Sequence, residues 1–147
     1  MALIDRVTKD IRGEIWLKLW GNLSFNPISA LTHATQEDIC KFEPSRQLAA
    51  NMMREAQSVA EWLGVAFKVS LDQRIAGALA VGAHKTSMLL DVENGRALEL
   101  NALVGSVVEL GRITQTPTPS IDAIYAVTRL PAQTLATQHG KLQVSAL

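Results

Sequence analysis

Glu14-Ile15-Trp16-Leu17-Lys18-Leu19-Trp20-Gly21-Asn22-Leu23-Ser24-Phe25-Asn26-Pro27 places Lys18, Asn22 and Asn26 at every fourth position of a largely apolar run. Residues four apart share one face of an α-helix, so the run reads as a helix that shows an ammonium and two carboxamides as one polar strip. The neighbours Trp16, Leu17, Leu19, Trp20, Leu23 and Phe25 are too large and too apolar to be left in water. The strip is therefore a candidate lining of a cleft, not a solvated face. Helical spacing extends back to about Lys9, with Ile11, Ile15, Leu19 and the two tryptophans expected on the inward side. Pro27 has no N–H for the carbonyl of Leu23 and biases Asn26 away from the α region, so the helix is expected to kink or stop between Asn22 and Asn26.

Working outward, Pro44 opens a second helix with Leu48, Met52, Ala56, Val59 and Leu63 at three- and four-residue steps, ending at Gly64. Met52, Met53 and Trp62 read as core filler. A third, Ala-rich segment runs from about Leu71 to Leu90, with Gly77 and Gly82 permitting close helix approach or a short break, and Asn94-Gly95 stops it. Helical spacing resumes from Ala97 to Ile113 through Leu100, Leu103, Val104, Val107, Val108 and Leu110, as in a buried or nearly buried helix. Thr114 to Ser120 is a loop with two prolines. Pro119 can sit in the first turn of a last helix through Tyr125 to Leu130, which Pro131 ends or kinks. No sustained period-two run is bounded by turns, so the fold class is all-α. Residues after about Gly140 are expected to be loose.

The chain has 147 residues, 48% of them hydrophobic, which suits one domain over 1–147 with a real core. Fourteen basic residues balance fourteen acidic ones, leaving no global field to draw nucleic acid or an anionic membrane. Cys40 is the only cysteine, so no internal disulfide forms, and a buried or half-buried thiol in a reducing cytosol is the ordinary reading. Asp5 and Arg6 interrupt the N-terminus, and the longest uncharged apolar stretch, Ile75 to Ala83, is far too short to span a membrane. A soluble, untargeted, cytoplasmic protein is expected.

Each candidate for chemistry has a plain structural alternative. Lys18 alone would be a surface lysine lying along an amphipathic helix. Asn22 and Asn26 extend its face, and amides beside an ammonium hold an oxygen-bearing ligand without adding charge. Asn26 before proline could instead initiate a turn. Ser87, in Thr86-Ser87-Met88-Leu89-Leu90-Asp91, could bond back to its own helix. Glu99 could be a helix-start carboxylate favoured by the macrodipole. Gly77 to Thr86 resembles a phosphate-cradling loop, but two extra residues separate the second glycine from Lys85 and no strand precedes it. His33, His84 and His139 lack metal-ligand spacing, and no metal is expected. No G-x-G-x-x-G turn occurs to supply the usual dinucleotide site.

Three blocks, Trp16-x-Lys18-Leu19-x-x-Asn22-x-x-x-Asn26-Pro27-Ile28-Ser29-Ala30-Leu31, Lys85-Thr86-Ser87-Met88-Leu89-x-Asp91-Val92-x-x-Gly95-Arg96-x-x-Glu99 and Thr116-Pro117, resemble the C-terminal domain of the ketopantoate (2-dehydropantoate 2-) reductases in order and spacing along nearly the whole chain. The resemblance implies the all-helical C-terminal domain shared with the 6-phosphogluconate dehydrogenase-like enzymes. It implies NADPH-dependent reduction of the 2-oxo acid 2-dehydropantoate (ketopantoate) to pantoate, on the route to pantothenate and coenzyme A. On this likeness Lys18 falls at the general acid, Asn22, Asn26 and Ser87 at substrate hydrogen-bonders, and Glu99 at an acidic residue of the active site. Two positions depart from the pattern: His84 and Gln36 stand where relatives can have asparagines that help bind pantoate. Another branched 2-oxo acid is thereby left open as substrate.

Family members begin with a Rossmann NADPH domain, and this chain is expected to start at about the junction with the second domain, as an excised domain or a truncated gene product. NADPH is then a cofactor of the full-length protein and is not expected to bind this chain alone, Glu99 excepted as a possible contact. Two classes of function follow. One is the substrate-binding, acid-supplying half of a reductase. The other is a free-standing helical dimerisation module in which the strip is inert. Either leaves exposed the apolar surface that the first domain would cover, which predicts a homo-oligomer.

Overall fold

The structure, a computed structural model, describes residues 9–138. Among the described residues every regular element is helical, in agreement with the all-α expectation. The tail after Gly140, expected to be loose, and His139 lie outside the described residues.

The central helix is α1 (Ile11–Thr32), which packs against three helices that follow: α3 (Glu43–Trp62), α5 (Ser87–Glu93) and α7 (Pro119–Thr137). Asp10 caps α1 by accepting from the Gly13 N–H at 3.0 Å. Of the two outcomes expected at Pro27, a kink or a stop, the stop does not occur. The helix runs through it to His33, whose left-handed backbone (φ 60°) closes it with an N–H bond to the Ser29 carbonyl at 2.8 Å. Residues 23–30 of α1 are all buried, Pro27 included, so apolar packing on every side offsets the one backbone hydrogen bond that a proline forfeits. Pro131 likewise lies inside α7, which continues to Thr137.

A short helix, α2 (Gln36–Lys41), went unforeseen in the sequence reading. Its signal is Thr35-x-x-Asp38, a reciprocal capping box: Thr35 Oγ1 accepts from the Asp38 N–H at 3.2 Å, and Asp38 Oδ2 accepts from the Thr35 N–H at 3.2 Å. Pro44 sits in the first turn of α3 as expected, and Gly64 (φ 80°) follows the helix end, with the Val65 N–H reaching the Ala60 carbonyl at 2.9 Å. The third segment takes the broken option. It divides into α4 (Leu71–Ala80), capped by Ser70 and Gln73, and α5, with Gly82 (φ 84°) at the break. The Ala97 to Ile113 segment enters through a π-helical turn (Asn101–Gly105) and continues as α6 (Ser106–Ile113). It is less buried than expected, because Glu109, Arg112 and Ile113 form an exposed side.

The core forms where α1 meets α3: Trp20, Leu23 and Phe25 pack with Met52, Met53, Ala56 and Val59, joined by Val104, Val107 and Ile121. Trp20 is fully enclosed, lies 4.3 Å from the Phe67 ring by centroids, and donates from Nε1 to the Met53 carbonyl at 2.6 Å. Cys40 is buried, and burial pushes its thiol above the usual range. Two expectations about burial fail. Trp62 is 67% exposed at the end of α3, and Ile11 and Ile15 are 62% and 58% exposed. Each helical residue advances the direction by about 100°. Ile11 and Ile15 therefore point well away from Trp16 and Trp20, onto the face that also carries Lys18, Asn22 and Asn26.

Candidate functional site

Lys18 is exposed on α1 and lines a cleft of about 380 Å³ between α1 and α4, together with Gln73, Arg74 and Gly77. Asn22, one turn on, is half-buried. Asn26, a further turn on, is only 6% exposed. Lys18 to Asn26 is about 12 Å along the axis, so the flexible lysine stem must supply the reach that brings its nitrogen toward the amides.

Asn26 carries a precise clue. Its backbone carbonyl accepts from Ser29 Oγ at 2.8 Å, yet its carboxamide makes no hydrogen bond to the described residues. Nor does any sealed side-chain polar atom among the described residues lack a partner. The Asn26 amide must therefore face a recess that solvent reaches, although the rest of the residue is enclosed. Asn before Pro does not initiate a turn here, because Asn26 lies in mid-helix.

Ser29 also hydrogen-bonds Thr86, hydroxyl to hydroxyl, across to the start of α5. Thr86 caps α5 by accepting from the Leu89 N–H at 3.1 Å. This clamp sets Ser87, the next residue, beside the end of the strip that holds Asn26. Ser87 is exposed in the first turn of α5 and its hydroxyl does not bond back to its helix. Glu99 is exposed just before the helical run that begins at Leu100, and its carbonyl accepts from the Leu103 N–H at 3.2 Å. That run contacts α1 through the π-helical turn. The structure thus brings Lys18, Asn22 and Asn26 onto one face and pins Ser87 near its far end. It does not join Glu99 to the other four. Among the described residues, none of the five side chains has a hydrogen bond or ion pair.

The phosphate-loop lookalike is occupied by something else. Lys85 Nζ pairs with both oxygens of Glu93 at 2.8 and 2.9 Å. Gln36 and His84, the two departures from the family pattern, are neighbours: the Gln36 N–H donates to the His84 carbonyl at 3.3 Å. Among the described residues no group of three or more His, Cys, Asp or Glu is placed to hold a metal ion. No helix among them is long and apolar enough to cross a membrane.

The sequence reading missed Arg74. Its guanidinium is half-buried against α1 at Gly21, and burial pulls it below its ordinary value. A lone arginine on a short helix gives no signal of this. Gly21, a glycine between bulky residues inside a helix, is the only trace of it in the sequence.

Comparison with known proteins gives consistent results. The family described as ketopantoate reductase PanE/ApbA C terminal matches residues 10–132. The 2-dehydropantoate 2-reductase of Mesorhizobium japonicum is 58% identical over 123 residues, which cover 84% of this chain and 38% of that protein. Among solved structures, a candidate ketopantoate reductase of Ralstonia solanacearum MolK2 is similar at TM-score 0.79 and 40% identity, covering 84% of this chain and 37% of that one. The 2-dehydropantoate 2-reductase of Methylococcus capsulatus is similar at TM-score 0.82 and 27% identity, covering 88% and 45%. The chain spans less than half the length of each.

Proposed function

This chain belongs to the ketopantoate reductase PanE/ApbA C-terminal family, and we propose on that premise that it forms the substrate-side, proton-donating half of a cytoplasmic 2-dehydropantoate 2-reductase. One observation carries the reading. Lys18, Asn22 and Asn26 share one face of α1 with Ser87 near its far end, and among the described residues none of the four side chains has a partner, one of them an amide in an otherwise enclosed residue. An amide in an enclosed residue, with only solvent in its recess to meet it, suits a ligand that brings hydrogen-bonding oxygens.

The described residues include no strand and no Gly-rich strand-to-helix turn, so they do not fit a dinucleotide in the usual way. NADPH is assigned to a Rossmann domain outside residues 1–147, where it would supply the hydride. The residues of this chain do the rest. Reduction at the keto carbon leaves negative charge on its oxygen, which the Lys18 ammonium stabilises and then protonates from Nζ. The Asn22 and Asn26 amides and the Ser87 hydroxyl orient the 2-oxo acid, and in doing so discriminate between related acids. Glu99 is assigned a part in the reaction only through its place in the family pattern, since among the described residues no contact joins its carboxylate to the other four side chains.

The test is a longer protein in which a Rossmann NADPH domain precedes this chain. Lys18→Ala is expected to lower kcat for 2-dehydropantoate about 10²- to 10⁴-fold, read from NADPH absorbance. An undiminished rate would overturn the assignment.

A second reading concerns the substrate. Gln36 and His84, whose backbones meet, stand at positions where the family pattern can have asparagines, which leaves another branched 2-oxo acid as the alternative substrate. A panel of 2-oxo acids, ranked by kcat/KM, decides between them. The exposed face of α1 with Ile11 and Ile15, together with exposed Trp62, supports burial against a further domain or a second copy. A homo-oligomer is expected, and a purely monomeric species in sedimentation at micromolar concentration would count against it.

A further inference from the structure

Lys41, Arg46, Lys85 and Arg96 each pair with a carboxylate on the surface. Among the described residues Arg74 and Lys18 pair with none, nor do the exposed Arg12, Arg54, Lys68 and Arg112, but Arg74 is half-buried. A guanidinium drawn out of water without a counter-charge is costly, so its position calls for a reason. Its seat is specific. A Cβ at Gly21 would come within 2.0 Å of Arg74 Nη2, so only a glycine there lets the guanidinium lie against α1.

Arg74 and Lys18 face the same cavity, which Leu17 and Val69 line with hydrocarbon and Glu14 with one carboxylate that pairs with neither cation. Two cations against one carboxylate leave the lining net positive. Gly21 is three residues beyond Lys18, about 4.5 Å along the axis. In a 2-oxo acid the carboxylate and the keto oxygen sit on adjacent carbons, so the cations that receive them must line one cavity, as Lys18 and Arg74 do. We infer that the cleft between α1 and α4 is a carboxylate-binding subsite in which Arg74 takes the carboxylate of the 2-oxo acid while Lys18 meets its keto oxygen. The inference rests on the reductase reading and adds to it a determinant of acid over neutral substrate. Planar guanidinium and planar carboxylate can meet through two parallel hydrogen bonds, which a lysine at position 74 could not reproduce.

The chain itself is titrated with 2-dehydropantoate, with its methyl ester and with inorganic phosphate, followed by calorimetry and by the Arg74 Nε–H resonance. The acid is expected to shift that resonance. Its affinity should fall about ten- to hundredfold in Arg74→Gln and less in Arg74→Lys, while affinity for the ester stays the same. Gly21→Ala keeps the charge but fills its seat. Because alanine favours helix over glycine, Tm should hold or rise while affinity for the acid falls, which separates seating from stability. Acid binding unchanged in both Arg74→Gln and Gly21→Ala overturns the subsite and leaves the reductase reading, tested by the rate of Lys18→Ala, untouched. Phosphate binding tighter than that of the acid overturns the substrate assignment in favour of a cofactor phosphate, and failure of the acid to bind overturns it as well.

Discussion

Trp20 shows how much a single residue can fix. Its ring fills the centre of the core beside Phe67, and its one polar atom meets the Met53 carbonyl of α3 at 2.6 Å. Trp20→Phe keeps an aromatic ring but removes the donor and some volume. It is expected to lower unfolding free energy by about 1–3 kcal/mol, measured by urea denaturation. A loss no larger than that of an exposed control such as Trp62→Phe would show that the bond to Met53 contributes nothing. Spacing alone marked Trp20 as inward, because residues 16, 20 and 23 recur at helical steps. Its partner thirty-three residues away could not be read the same way. Trp62 shows the converse, since an aromatic at a plausible core spacing stands exposed where α3 runs out of neighbours.

At the scale of elements, the prolines that open helices were legible, whereas Pro27 and Pro131 do not stop the helices that contain them and the capping box of α2 was passed over. Asp38 is held by a hydrogen bond from Thr35 Oγ1 at 2.8 Å and another from the Thr35 N–H, and these keep its carboxyl below the usual range. A carboxyl so lowered adds stability that is fully present above its ordinary value and is lost as pH falls through the lowered one. Amides of α2 are therefore expected to exchange faster as pH is taken from neutral down through the carboxylate range, beyond the intrinsic change in exchange chemistry. In Asp38→Asn that extra acceleration should disappear. Thr35→Ala removes both the cap and the bond to Asp38, and is expected to cost about 0.5–2 kcal/mol. The prolines mislead because local rules describe a helix in water. Pro27 sits in a buried segment whose neighbours hold it helical whatever its own preference.

Across the whole molecule the joints between distant elements decide the arrangement. Glu55 of α3 accepts the N–H groups of Ser120 and Ile121 on its two oxygens, each at 2.9 Å, and so caps α7 from sixty-five residues away. Thr118, the residue that local reasoning would nominate, makes no such cap. Glu55→Ala should cost about 1–3 kcal/mol in unfolding free energy, because two helix-start donors lose their acceptor. Glu55→Gln should cost less, since one good acceptor oxygen remains while the favourable interaction with the helix dipole weakens. Equal stability of all three proteins would show that solvent satisfies those donors fully. The Ser29 to Thr86 clamp is a second joint of this kind, and it is what carries Ser87 to the strip on α1.

The chain by itself determined that it would be helical, where most helices start, that Lys18, Asn22 and Asn26 share a face, and that the blocks around them resemble one family. All of these depend on neighbours within a turn or two, where backbone geometry fixes which side chains align. Only the tertiary structure decided that α1 continues through Pro27, that its Ile11 and Ile15 end stays exposed while its Asn26 end is enclosed, and that Arg74 settles against Gly21. Those outcomes turn on which surfaces meet across long stretches of sequence, where packing and desolvation outweigh local preference.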